Sequence, residues 1–292
     1  MDRSLRRAIG SGSAASMAIM ERGATDRQHD ERSLACLDGE LVPIERACIP
    51  VTDEGLLRGD GVFEVVRLYE GRPFALDRHL ERMSRSAANL LLPFDRAAVE
   101  EDARALLGAA KSGDALLRVL VTRGGHRVAL VEPLPALPQS LALGGVTYAP
   151  TIVLDGVKSL SYAANMLAGR LARERGFDEA LLVSPQGSVL ECPTASFFWV
   201  RAGELLTPPL EEHVLASITR QLIMAVTDAR EQPTSLEDLA SAEEAFVASS
   251  VREVLPVHTI EQLELPAPGP VTDATAAAVR AEIETALARA VA

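Results

Sequence analysis

Chemistry that needs a side-chain primary amine has two places to happen in this 292-residue chain, Lys111 and Lys158, because every other one of its 29 Lys+Arg residues is arginine. A guanidinium stays protonated and forms no imine, whereas a lysine can be desolvated, lose its proton and act as a nucleophile. Lys111 lies in Ala-Ala-Lys-Ser-Gly-Asp, the composition of a solvated helix end and loop. Lys158 lies in Leu-Asp-Gly-Val-Lys-Ser-Leu-Ser-Tyr, with Val157 and Leu160 beside it and an apolar helical pattern after it. Lys158 is therefore the candidate for burial and for chemistry; the alternative is an ordinary lysine that buries its stem and leaves its head in water.

A lysine imine needs a carbonyl, and a widely used carbonyl cofactor with an electron sink is pyridoxal 5'-phosphate. It asks for a carboxylate at the pyridine nitrogen, donors for the phosphate and a group to hold the ring oxygen. Glu191, ending a strand in Val-Leu-Glu-Cys-Pro-Thr, can point one carboxylate into a pocket; a solubilising charge on an edge strand has the same pattern. Phosphate favours a helix N-terminus, where unpaired N–H groups and the dipole meet the anion. Leu-Ala-Ser-Ile-Thr-Arg supplies one: Ser217 as N-cap, Ile218 and Thr219 with free amides, then Leu222, Ile223 and Val226 as the buried stripe. A capped helix with no ligand fits equally. Ser249 and Ser250 follow another strand and offer hydroxyls and amides, as an ordinary turn also does. Tyr162, one helical turn beyond Lys158, suits either a bond to the ring oxygen or simple packing.

These residues need a scaffold, and 48% hydrophobic content over this length gives a globular chain of one large or two ordinary domains. A net charge of -12 argues against a nucleic-acid partner. No apolar run is long enough for a membrane helix and the N-terminus lacks a secretory pattern. Cys36, Cys48 and Cys192 have no paired spacing, and the five histidines no metal-ligand spacing, which points to a cytoplasmic protein with reduced thiols and no metal. Residues 1–32 read as a flexible extension. Residues 33–131 read as a small α+β domain: a strand pair around Asp38-Gly39, a strand from Val62 to Tyr69, a helix capped by Asp77, a second helix over 97–110, and a strand from Ala115 to Thr122. Three prolines mark 132–143 as a linker. Residues 144–292 form the larger, cofactor-binding domain: a strand from Val146 to Tyr148, the Lys158 segment, a helix to about Arg175, a hairpin across Pro185-Gln-Gly, a strand from Phe197 to Arg201, a helix from Ser217, a strand from Ala245 to Ala248 and a terminal helix.

Six blocks in one order, Arg58-Gly-Asp-Gly-Val-Phe-Glu-Val-Val-Arg, Phe74-Ala-Leu-Asp-Arg-His-Leu-Glu-Arg-Met, Val157-Lys-Ser-Leu-Ser-Tyr, Glu191 to Phe198, Leu206-Thr-Pro-Pro with Ile218-Thr-Arg, and Arg252-Glu-Val-Leu-Pro-Val, resemble the fold type IV pyridoxal-phosphate enzymes. That family comprises branched-chain aminotransferases, D-amino-acid aminotransferases and aminodeoxychorismate lyases. The resemblance implies two α+β domains with the cofactor in the cleft between them, in a homodimer. It implies that Lys158 is the Schiff-base lysine, Glu191 the partner of the pyridine nitrogen, Tyr162 the ring-oxygen donor, and Arg82, Ser217, Ile218, Thr219, Ser249 and Ser250 the phosphate site. Phe63 would wall the substrate, and His126 and Arg127 in the short Gly124-Gly-His-Arg loop would meet the substrate carboxylate. Two positions depart from the family pattern: Ala195-Ser196 stands for Ser-Asn, and Ser217 for glycine.

The implied reaction is amino-group transfer between an amino acid, branched-chain-like or of D configuration, and a 2-keto acid. The alternative is 4-amino-4-deoxychorismate lyase, releasing pyruvate and 4-aminobenzoate; a binding module without turnover would not need Lys158, Glu191 and Arg82 together. Glu64 in the Gly-Asp-Gly-Val-Phe-Glu block favours transfer.

Overall fold

The computed structural model describes residues 33–110 and 113–289; the extension at 1–32 and Lys111 lie outside them. The chain begins with β1 (Leu34–Leu37) and β2 (Glu40–Pro43), joined through Asp38 and Gly39 at φ 53° and 94°. Two successive residues in the left-handed region suit a two-residue hairpin turn, for which Asp-Gly is well adapted. A short helix α1 (Glu54–Arg58) leads into β3 (Gly61–Tyr69), then β4 (Arg72–Pro73), α2 (Leu76–Asn89), α3 (Arg96–Ala109), β5 (Ala115–Thr122) and β6 (Arg127–Pro133). The strands form an antiparallel sheet in the order β2-β1-β6-β5-β3-β4.

Alternation decides the two faces of this sheet. Val62, Val66 and Leu68 of β3 and Leu117, Val119 and Val121 of β5 join Leu80, Met83 and Ala87 of α2 in a buried core. The opposite face carries Phe63, Val65, Arg118 and Leu120. Helix α2 starts one residue before the predicted cap: Ala75, in the left-handed region at φ 53°, is the N-cap, and Asp77 sits inside the first turn, paired with Arg96. Asp95 caps α3 by accepting from the Ala98 amide at 3.1 Å.

Residues 134–140 connect to the second sheet, built from β7 (Leu141–Thr147), β8 (Glu179–Val183), β9 (Ser196–Arg201), β10 (Glu204–Thr207), β11 (Arg230–Glu231), β12 (Glu244–Ser249), β13 (Glu253–Ile260) and β14 (Leu263–Glu264). The order is β11-β10-β9-β12-β13-β7-β8, with β14 on β13 and β7 parallel to both its neighbours. Helix α4 (Ala163–Glu174) lies between β7 and β8 in sequence, α5 (Ile218–Val226) follows β10, and α6 (Pro270–Arg289) ends the described chain. Strand β9 shows why this sheet is covered on both sides. Phe197 and Trp199 stack in one core, while Phe198 stacks on Phe246 in another that α5 and α6 close with Leu222, Ile223, Val279 and Ile283.

Three strands differ from the sequence reading. β6 continues through Glu132 and Pro133, opposite Leu116 and Ala115, because the first proline of the run is the last residue of its strand. β10, absent from that reading, pairs with β9 across a turn at Ala202-Gly203. β13 was obscured by Pro256, which is tolerated because pairing with β7 begins only at Val257 and is offset by a bulge before Thr259.

Candidate active site

The segment carrying Lys158 is stitched to the open edge at the start of β3. The Phe63 amide donates to the Lys158 carbonyl at 3.1 Å, the Leu160 amide donates to the Gly61 carbonyl at 2.9 Å, and Val62 and Ser159 form an antiparallel bridge. Glycine at 61 permits that approach, since a Cβ there would stand 2.4 Å from the Val121 carbonyl and 2.6 Å from Leu160 Cδ1. The Lys158 amide donates to Ser86 Oγ of α2 at 3.1 Å. The backbone of the lysine is thus fixed from two elements. Its Nζ stands 4.4 Å from the Phe63 ring centroid and 5.6 Å from that of Tyr162, and these two rings meet edge to face at 5.3 Å.

Lys158, Tyr162 and Glu191 line one cleft with Tyr148, Asn165 and Leu215. Burial lowers the Lys158 ammonium to about 8, with Glu64 opposing and Arg82 adding to the shift. Burial raises the Glu191 carboxyl to about 7, against the Leu215 amide, which donates to Oε1 at 3.1 Å, and against Lys158 and Arg82. One acid and one base are therefore poised near neutrality in the same cleft, a pattern that marks functional sites. Burial also pushes the Tyr162 phenol up, with Glu191 adding, and its hydroxyl donates to the Pro193 carbonyl at 2.7 Å.

Arg82 and the start of α5 converge. Ser217 is the N-cap: its Oγ accepts from the Arg220 amide at 3.3 Å and its carbonyl from the Gln221 amide at 3.0 Å. The amides of Ile218 and Thr219 come before these and are the pair left to face a ligand. The serine in place of glycine is accommodated as a cap. Arg82 places Nη1 3.2 Å from the Ala216 carbonyl, beside that helix start, and gives Nε and Nη2 to Glu64 at 2.7 and 2.6 Å. Ser249 Oγ accepts from the Arg252 amide at 3.3 Å, and Ser250 Oγ lies 3.4 Å from His79 Nε2.

His126 and Arg127 are elsewhere. On the β5–β6 hairpin, His126 Nδ1 pairs with Asp38 at 2.8 Å and Arg127 Nε with Asp102 at 2.8 Å, and neither lines the cleft. The sequence reading passed over three residues. Arg118 has its guanidinium 5.7 Å from the Phe63 centroid, on the same ring that Lys158 faces, and is held by Glu132 through Nε and Nη2 at 3.0 and 2.9 Å. Leu215 supplies the amide on Glu191. His79 sits three residues before Arg82 on α2, a spacing that puts both on one helix face and was the available signal. Ser196, at the position that departs from the family pattern, is buried with no partner for its Oγ.

The donor set fits pyridoxal phosphate. It combines a partly buried amine of lowered basicity, a partly buried carboxyl in the same cleft, and an arginine beside two unpaired helix amides. A family model for amino-transferase class IV matches residues 61–260. The D-alanine aminotransferase of Listeria monocytogenes is 31% identical over 265 residues, 78% of this chain and 88% of that protein. The solved branched-chain aminotransferase of Thermoproteus uzoniensis with norvaline superposes with a TM-score of 0.78 at 28% identity, over 86% of this chain and 94% of that one. A hypothetical aminotransferase from Mycobacterium tuberculosis, solved in its PLP-bound, apo, and alpha-ketoglutarate- and PMP-bound forms, gives 0.78 at 26% identity over 86% and 99%.

Proposed function

This chain belongs to the amino-transferase class IV family, which are pyridoxal-phosphate enzymes, and we propose that its cleft transfers an amino group between a branched-chain-like or D-amino acid and a 2-keto acid. The observation that carries this is Lys158 Nζ held over Phe63 and Tyr162 with Glu191 in the same cleft. The cofactor, when bound, supplies a carbonyl for the amino group and a ring that spreads the electrons left at Cα once its proton is gone.

Everything else falls to the chain. With the cofactor bound, Lys158 Nζ would take up and give back the substrate's Cα proton, a task for an amine that is partly neutral near pH 8. Glu191, its Oε1 held by the Leu215 amide, would face the pyridine nitrogen and keep a proton there. Arg82, the Ile218 and Thr219 amides, Ser249 and Ser250 would hold the phosphate, with Ser217 closing the helix start. Tyr162, whose hydroxyl donates to the Pro193 carbonyl in this structure, would hold the ring oxygen. Phe63 orients the substrate and, with Tyr162, excludes water from Nζ, while Arg118 offers positive charge to a substrate carboxylate. A role for His126 and Arg127 at that carboxylate requires the cleft of a second subunit, so a homodimer is part of the proposal, as are the cytoplasm and the two-domain division with the cofactor between the domains.

Purified protein loaded with pyridoxal phosphate should convert 2-oxoglutarate to glutamate with leucine, valine or D-alanine as donor. No transfer from any of these, together with release of pyruvate and 4-aminobenzoate from aminodeoxychorismate, would replace the reading by the lyase.

A further inference from the structure

Glu64 is fully buried on β3. Burial would raise its carboxyl, but the charge and two hydrogen bonds of Arg82, with the His79 bond, hold it at about 2. It is therefore ionised at any working pH, and it spends the positive charge of Arg82. The side of the cleft that is to receive a phosphate dianion is close to neutral before the dianion arrives. His79 is in contact with this balance at both ring nitrogens. Nδ1 lies 2.8 Å from Glu64 Oε2 and Nε2 lies 3.4 Å from Ser250 Oγ, with the ring itself 1% exposed. A carboxylate only accepts, so Nδ1 carries the hydrogen and, in the neutral ring, Nε2 is bare. The Ser250 hydroxyl must then point its hydrogen at His79.

A phosphate held by Arg82 and Ser250 competes for that hydrogen. The charged and polar groups around the ring are Glu64 from β3, Arg82 from the same helix, Lys158 from its segment and Ser250 from the β12–β13 turn. Burial keeps the imidazole below its ordinary value while Glu64 opposes, so the ring is neutral without a ligand and gains from an added negative charge. Resting on the phosphate site proposed above, we propose that His79 is the positioning residue of that site: when the dianion takes the Ser250 hydrogen, His79 Nε2 binds one proton from solvent and donates it to Ser250 Oγ. The finished line runs from Glu64 Oε2 to Nδ1–H, from Nε2–H to Ser250 Oγ, and from Oγ–H to the phosphate. One proton enters and no other bond changes. Every donor then has an acceptor, and the site gains the positive charge that Glu64 had cancelled on Arg82.

Cofactor binding should consequently be linked to pH through one residue. The measurement is the dissociation constant of pyridoxal phosphate between pH 6 and pH 8.5 for the full-length protein and for His79→Gln, which keeps a hydrogen-bonding group and cannot titrate. Proton release and uptake at Lys158 and at the cofactor are common to both proteins and cancel in their ratio. The wild-type advantage should grow as pH falls, by up to about tenfold per unit over part of that range, as one linked proton requires. It should vanish with pyridoxal, which has no phosphate. Ring NMR of wild-type protein gives the same answer without a variant: the titration of His79 should lie at higher pH in the holoenzyme than in the apoprotein. A pH-independent affinity ratio, or a His79 titration equal or lower in the holoenzyme, overturns the proposal. The aminotransferase reading fails separately, through the absence of cofactor binding and amino-group transfer in the wild type.

Discussion

Replacing Lys158 by methionine measures what the cleft does to an amine. Methionine keeps much of the apolar stem and removes the charge. Burial lowers the ammonium from an ordinary 10.5 to about 8. A group whose pKa is lower in the folded protein binds its proton less tightly there, so the lysine costs no stability above pH 10.5, and the cost grows as pH falls and is complete below about 8. At about 1.4 kcal/mol per unit the full cost is roughly 3 kcal/mol, and partial contact with water reduces it to about 2 kcal/mol. Cofactor-free Lys158→Met should therefore be more stable than the wild type by about 2 kcal/mol at neutral pH and by almost nothing near pH 10.5, as read by urea denaturation of the two proteins side by side. Equal gains at both pH values, or no gain at neutral pH, would mean that the amine is not held as a desolvated cation, and the reasoning from burial to basicity would be wrong.

Glu191→Gln should retain the cofactor and slow the chemical step, because an amide does not hold a proton at the pyridine nitrogen; loss of about 3 kcal/mol of transition-state stabilisation is on the order of a hundredfold in single-turnover rate. A rate within twofold of wild type would make Glu191 a structural carboxylate. Arg82→Ala should weaken pyridoxal phosphate roughly tenfold to a hundredfold in a direct titration, the worth of a charged hydrogen bond at about 1.5 to 3 kcal/mol. It should also destabilise the apoprotein by roughly 3 kcal/mol, because Glu64 is left as a buried charge paired only with His79. Unchanged affinity would remove Arg82 from the phosphate site.

What the sequence made legible was the local chemistry of its blocks. The Asp38-Gly39 hairpin, β3, the Ser217 cap and the Lys158 segment each carry their own signal in a few adjacent residues. Elements that depend on their neighbours were harder. β13 contains a proline that only the staggered start of β7 makes acceptable, and β6 ends on a proline that reads as linker until its pairing with Ala115 is seen. The predicted cap at Asp77 failed because Ala75 takes a left-handed conformation that its side chain does not advertise. In the site, Lys158, Tyr162 and Glu191 were named from residue type and come together in the cleft. Arg118 was missed because it reaches Phe63 from the adjacent strand, a relation set by register and not by spacing along the chain. The contact of Glu64 with His79 and Arg82 is likewise made by α2 packing on β3, although the two helix residues shared a face in the sequence.

Lys158 is the residue proposed to carry the cofactor, and the scarcity of lysine makes the test of that role unusually clean. Protein loaded with pyridoxal phosphate is reduced with borohydride, which fixes a cofactor joined to an amine, then digested and its peptides mapped by mass. One modified peptide, containing Lys158, is expected, and none in protein that carries Lys158→Ala. A label on Lys111 or on the N-terminal amine with Lys158 unmodified, or no label on protein that has bound the cofactor, would contradict it.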